Sequence, residues 1–204
     1  MRILPLSAAI TVAFMLGGCN DFHTFPDPAL NLRDTKYLAM LPSPELDPEH
    51  QRHIIEDPTG EAPGTIVIDS KKNVLYYVLK DKKAISYGVA TGTEAAGWSG
   101  TANVGMKAEW PAWHPPAEMI TRWPQLKPTY AAGGLPGGPD NPLGARALYL
   151  YQNGKDTLYR IHGTNEPEEI GHNVSSGCIR MRDIDVIDLY NRVNVGTKVI
   201  VLGA

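Results

Sequence analysis

The residue best suited to covalent chemistry is Cys178, set in Ser175-Ser176-Gly177-Cys178-Ile179-Arg180. A thiol that attacks an amide needs a nearby base, a positive surrounding and donors for the developing oxyanion. His162 stands 16 residues earlier, at the end of a predicted strand. A segment of that length can fold back, so that a neutral imidazole takes the thiol proton and later returns it to a leaving amine. Gly177 removes a side chain beside the thiol, which lets the backbone N–H groups of Ser176, Gly177 and Cys178 approach an oxyanion. Arg180 and Arg182 follow directly, and their charges would favour thiolate over thiol. Arg180 could also grip a substrate carboxylate with its forked donors. The pattern is that of an acyl transfer on a peptide.

Each piece also has a plainer meaning: a lone Cys is often a small core residue, and a strand-end His is often structural. A zinc site from His162, His172 and Cys178 is the other chemical option. Its spacing matches no compact ligand pattern and lacks an evident fourth ligand, so neither metal nor cofactor is expected. Cysteine usage favours a working thiol, since Cys19 and Cys178 are the only two in 204 residues.

Cys19 has its own explanation. Arg2 gives a short positive start, residues 3–16 are apolar, and Leu16-Gly17-Gly18-Cys19 closes the run. The run of 14 residues, interrupted by Pro5, is short for a membrane-spanning helix, which needs about 20. It has the size of a signal-peptide core. Small residues before a Cys resemble the lipobox of bacterial lipoproteins, so the expectation is a signal peptide over 1–18 and lipidation at Cys19. The chain would then be exported to the periplasm and held on a membrane by lipid. Cys178 would be left as the one unmodified thiol in an oxidising compartment, where an idle thiol is a liability. The net charge of −3 offers no basic face for nucleic acid.

The elements that must position these residues can be read in outline. Residues 19–63 are rich in Pro, Asp and His and read as a tether and extended arm, with a short helix near 48–55. Three β-branched and aromatic runs at 65–69, 74–79 and 84–91, separated by polar turns, predict a meander. Residues 92–104 read as a loop. Pro115-Pro116 opens a short helix through Trp123, and the Gly- and Pro-rich stretch 133–144 reads as a functional loop or lid. Asn153-Gly154 predicts a hairpin joining strands at 146–151 and 157–162. Asp183 is a candidate N-cap for a helix with Ile184, Ile187 and Tyr190 on one face, and 198–202 is a last, buried strand. The fold class is mainly β, a β-sandwich-like domain over 64–204 with one or two packed helices. Trp98, Trp110, Trp113 and Trp123 could line a cleft, although at least two should belong to the core.

Together these residues resemble a known family. Ile161-His162-Gly163-Thr164-Asn165, then Ile170-Gly171, then Ser175-Ser176-Gly177-Cys178-Ile179-Arg180-Met181 is similar to the signature of L,D-transpeptidases, the YkuD domain. The likeness extends to Asn141-Pro142-Leu143-Gly144-Ala145-Arg146-Ala147-Leu148 and to the stretch from Trp110-Pro111 to Pro115-Pro116. The resemblance implies a cysteine enzyme that attacks the L,D amide bond of a peptidoglycan tetrapeptide stem, releases D-alanine and holds the rest as a thioester. An amine of a second stem then forms a 3→3 cross-link. Water, a D-amino acid or a lysine of an outer-membrane protein are other acceptors in the family. On this pattern Cys178 is the nucleophile and His162 the general base. Gly163 allows a tight turn beside that His, Ser176 and Gly177 belong to the oxyanion loop, and Arg180 orients the loop or binds a stem carboxylate. Many members carry a second His two residues before the Cys, where this chain has Ser176, which cannot titrate near neutrality. The working pair is therefore expected to be Cys178 and His162. An L,D-carboxypeptidase with water as acceptor, or a non-catalytic wall-binding lipoprotein, would fit the same scaffold.

Overall fold

A computed structural model describes residues 26–92, 98–175 and 177–203. The expected signal peptide and Cys19 lie outside the described residues, as does Ser176. In chain order the elements are helix α1 (Leu32–Leu38) and strands β1 (His53–Glu56), β2 (Ile66–Asp69), β3 (Val74–Val78), β4 (Lys83–Gly88), β5 (Thr91–Gly92) and β6 (Gly100–Glu109). Then come α2 (Ala117–Arg122), α3 (Lys127–Ala131), β7 (Arg146–Gln152), β8 (Lys155–His162), β9 (Asn173–Ser175), β10 (Ile179–Arg180), α4 (Asp183–Arg192) and β11 (Lys198–Val201).

Nine strands form one mixed sheet in the order β1-β4-β3-β2-β11-β6-β7-β8-β10, and β5 pairs with β9 beside it. The sheet curls back on itself, because Ala90, just past β4, exchanges backbone hydrogen bonds of 2.9 Å with Arg180 of β10. That return folds the sheet over its main core, which is the sandwich-like, mainly β architecture expected. Ile66, Ile68, Leu75, Leu148, Leu150 and Ile161 point into it without solvent exposure. Val67, Val74, Tyr76 and Ala84 form a smaller cluster on the other face, as strand alternation requires. Helix α4 presents Val186, Ile187 and Leu189 to the core. Ile184 and Tyr190, expected on that face, are only partly buried.

The turns follow from local chemistry. Asn153 (φ 52°) and Gly154 (φ 74°) both take the left-handed conformation, the type I′ pattern whose twist matches a hairpin. The β7–β8 ladder then runs to Ala147 opposite His162.

Three segments differ from the sequence expectation. Residues 92–104, read as a loop, contain the start of the ten-residue strand β6. Its composition is weakly β-forming, and its place comes from β7 on one side and β11 on the other. Gly105 is required there because the Tyr151 ring fills the space of any side chain. Stretch 133–144 is tied down: Leu135 and Trp113 exchange two backbone hydrogen bonds of 2.8 Å. Asn141, buried, donates through Nδ2 to the carbonyls of Pro111 and Pro136 at 3.0 Å.

The third is the arm. From residue 26 it is a docked helix, a 3-10 turn at Pro48–His50 and a strand antiparallel to β4. Asp34 of α1 is 1% exposed and receives Arg146 on both oxygens, at 2.9 and 2.7 Å, with Trp110 Nε1 at 2.8 Å. Burial alone would raise the Asp34 carboxyl, but Arg146 and Trp110 outweigh it and hold it below its ordinary value. Arg52 lies 3.3 Å from Asp185 of α4. The polar residues that read as a spacer make buried pairs with the domain.

Candidate active site

His162 is the last residue of β8 and is 5% exposed. Its Nδ1 lies 2.6 Å from the carbonyl oxygen of Gly163. A carbonyl can only accept, so Nδ1 carries the proton and Nε2 is the basic nitrogen. Burial pushes the imidazole down to about 4, with Arg180 and Arg160 adding to the shift and the Gly163 hydrogen bond opposing it. The ring is therefore neutral in its resting state.

Cys178 immediately precedes β10, which runs parallel to β8 with Ile179 beside Ile161 and Arg180 beside His162. Extending that register one step sets Cys178 beside Arg160 and one diagonal from His162, and diagonal neighbours on a strand pair lie within reach of long side chains. Cys178 is partly exposed and forms no disulfide among the described residues. Desolvation raises its thiol pKa, against the opposing pull of the Arg160 backbone and of the Arg160 and Arg180 charges. The expected thiolate bias from Arg180 and Arg182 is thus overridden: burial is the larger effect, and Arg182 is turned to Asp185 at 2.7 Å. Thiol and imidazole are therefore both neutral at rest.

Gly177 has φ 129°, a conformation that side chains rarely adopt, and it lines a cavity of about 390 Å³ with Thr91, Gly92, Trp98, Ser99 and Ile179. Trp98 stacks on Tyr159 at 5.6 Å between centroids, whereas Trp110 is buried against Tyr37. A smaller cavity, about 210 Å³ and bounded by Val67, Tyr76 and Ile200, contains none of the candidate residues.

Arg180 is held by acidic partners. Its Nη1 donates to Glu166 at 2.9 Å and also to Glu169, so the guanidinium ties β10 to the 3-10 turn Pro167–Glu169. Gly163 is needed for packing, since the Asp183 carboxylate occupies the space of any side chain there. His172 is exposed, and its carbonyl accepts from the Thr91 N–H at 3.2 Å. Among the described residues no three His, Cys, Asp or Glu side chains are grouped as a metal would require.

Two residues next to the site escaped the sequence reading. Arg160 places its charge beside Cys178 while paired with Asp156 through two bonds of 2.7 and 2.8 Å, and it covers the Tyr149 ring at 4.3 Å. Asp183 is 5% exposed and does not cap its helix, for which Arg182 is the N-cap residue. It accepts instead from the backbone N–H groups of Ala145 and Thr164. Strand register would have been needed to find the first, and tertiary structure the second.

The profile of the L,D-transpeptidase catalytic domain, YkuD, matches residues 63–201. The chain belongs to the L,D-transpeptidase catalytic domain family. It is therefore an enzyme of an acyltransferase family. YqjB of Bacillus subtilis (strain 168), named as an L,D-transpeptidase, is 36% identical over 151 residues, covering 71% of this chain and 76% of its own. YbiS of Escherichia coli (strain K12), also so named, is 36% identical over 152 residues, 73% of this chain but only 47% of YbiS. A crystal structure from Brucella melitensis is 48% identical with a TM-score of 0.51, covering 77% of this chain and 96% of that one. It is described as a probable carnitine operon oxidoreductase.

Proposed function

We propose that this L,D-transpeptidase domain works through Cys178 on the tetrapeptide stems of peptidoglycan, with His162 as its general base. The observation that carries this reading is the one-sided imidazole: Nδ1 is committed to the Gly163 carbonyl, which leaves Nε2 to accept a proton. Because thiol and imidazole are both neutral at rest, proton transfer accompanies attack instead of preceding it. The sulfur adds to the carbonyl of the L,D amide, and the thiol proton passes to Nε2. The C–N bond then breaks, and Nε2 returns the proton to the departing amine of D-alanine, leaving a thioester. An acceptor amine attacks that thioester and gives up its proton to His162. The new amide is a 3→3 cross-link when the acceptor is a second stem, and the thiol is restored. Backbone N–H groups at Ser176, Gly177 and Cys178 are the proposed oxyanion donors, and the left-handed Gly177 supports a tight turn there. Arg180, engaged with Glu166 and Glu169, is assigned to holding the loop in place of gripping a stem carboxylate.

Such stems lie outside the cytoplasm, so the reading includes export to the periplasm. Leu16-Gly17-Gly18-Cys19 supports a lipid anchor on Cys19, and among the described residues no helix is long and apolar enough to cross a membrane. Purified protein incubated with disaccharide-tetrapeptides, followed by mass spectrometry, tests the reaction. Cross-linked dimers with loss of one D-alanine are expected, and Cys178→Ala should form none. Trimmed tripeptides without dimers would make water the acceptor, and unchanged tetrapeptides would refute the reading.

A further inference from the structure

Asp183 sits at the first turn of α4, almost wholly buried, and serves other elements. A single oxygen, Oδ1, accepts from Ala145 N–H at 2.9 Å and from Thr164 N–H at 3.1 Å. Gly144 and Gly163 flank it, and a side chain at either would collide with that oxygen. Oδ2 is buried without a hydrogen-bond partner. Burial raises this carboxyl to about 7, against the opposing effect of the two amides. A pure core position would more easily hold an apolar residue than a carboxylate with one oxygen unsatisfied.

The geometry of one peptide unit shows what the carboxylate can do. The Thr164 N–H that donates to Asp183 belongs to the same planar amide as the Gly163 C=O that receives His162 Nδ1 at 2.6 Å. In a planar trans amide the N–H and C=O point in opposite directions, so fixing one fixes the other. A donor engaged by a carboxyl oxygen also polarises its own carbonyl, which strengthens that carbonyl as an acceptor. We propose that Asp183 is a positioning residue for His162: through the Gly163–Thr164 peptide plane it holds the imidazole in the tautomer and orientation that leave Nε2 as proton acceptor. The same oxygen, through Ala145, ties the start of β7 to the end of β8, where the ladder has run out. This rests on the proposed role of His162 in acyl transfer, but the tautomer itself can be measured without turnover.

The test uses the full chain, with ring nitrogens of His162 followed by ¹⁵N NMR and acylation of Cys178 by a carbapenem followed by intact mass. Wild type is expected to show protonated Nδ1 and bare Nε2. Asp183→Asn, which keeps an oxygen in place of Oδ1, should retain that tautomer and acylate within about threefold of wild type. Asp183→Ala should mix the tautomers and slow acylation about tenfold or more, since a misaligned base forfeits part of the roughly 10²–10⁴-fold that general-base catalysis supplies. Asp183→Ser, too short to reach both amides but roomy enough for water, takes its place if the alanine variant does not fold. A folded Ala or Ser variant with the wild-type tautomer would overturn the proposal, whatever its activity. Absence of acylation in wild type with the expected tautomer response would leave the positioning role standing and count against the acyl-transfer reading alone.

Discussion

His162 stays neutral well below the pH at which a free imidazole takes up a proton. With its pKa pushed to about 4 from 6.5, the proposed base remains available through mildly acidic conditions. The acid limb of kcat/KM for the tetrapeptide donor should accordingly lie near pH 4, and a limb at pH 6.5 would mean that the ring is not desolvated. Arg180 permits a second expectation. Its partners Glu166 and Glu169 are 51% and 31% exposed, so the pairs contribute at most about 1 kcal/mol of stability. Arg180→Ala should leave the urea midpoint nearly unchanged while lowering kcat about tenfold, because a loosened loop misplaces reacting groups. Cys178 and His162, the proposed pair, stand out in the sequence by residue type, spacing and family likeness. Their charge states were not, because the arginines beside them suggested a thiolate whereas burial decides the matter. Asp183 carried a helix-capping signal, and only the approach of Gly144 and Gly163 shows its other use.

The strands differ in how much of their placement is local. Asn153-Gly154 specifies the β7–β8 hairpin by turn chemistry, and the meander from 65 to 91 follows from β-branched runs between polar turns. Strand β6 owes its place to partners far away in sequence and has few β-favouring residues, so it read as loop. The arm is the clearest case. Asp34 finds Arg146 across 112 positions, and nothing in the polar, Pro-rich stretch around it announces that pairing. Because both side chains are buried, at 2% and 3% exposure, Asp34→Ala strands a buried guanidinium and should cost about 3–5 kcal/mol in urea unfolding. Asp27 pairs with Arg52 from a side chain that is 75% exposed, and Asp27→Ala should cost less than about 1 kcal/mol. Equal costs would contradict the docked arm.

For the whole molecule, His162 and Asp183 are two buried groups that act on the pH response in opposite senses. The folded state binds protons less readily than the unfolded chain at His162, so this residue makes stability fall as pH drops from 6.5 toward 4. Asp183 is the reverse: its folded pKa of about 7 exceeds the ordinary 3.8, so its contribution is present at low pH and lost as pH rises toward 7. Asp183→Asn removes only the second effect. Its stability relative to wild type should therefore climb between pH 4 and 7, by up to about 4 kcal/mol, as read from urea unfolding at each pH. A constant difference would mean that Asp183 titrates normally. Both effects arise from the core that brings β7, β8, β10 and α4 together, which also positions the candidate site. The proposed function requires a covalent intermediate at one sulfur, and intact-protein mass spectrometry during turnover of a tetrapeptide stem reads it directly. Acyl transfer through Cys178 predicts a wild-type adduct equal to the donor less D-alanine, mapped to Cys178 and absent from Cys178→Ala. Turnover without such an adduct, or an adduct that persists in Cys178→Ala, would contradict it.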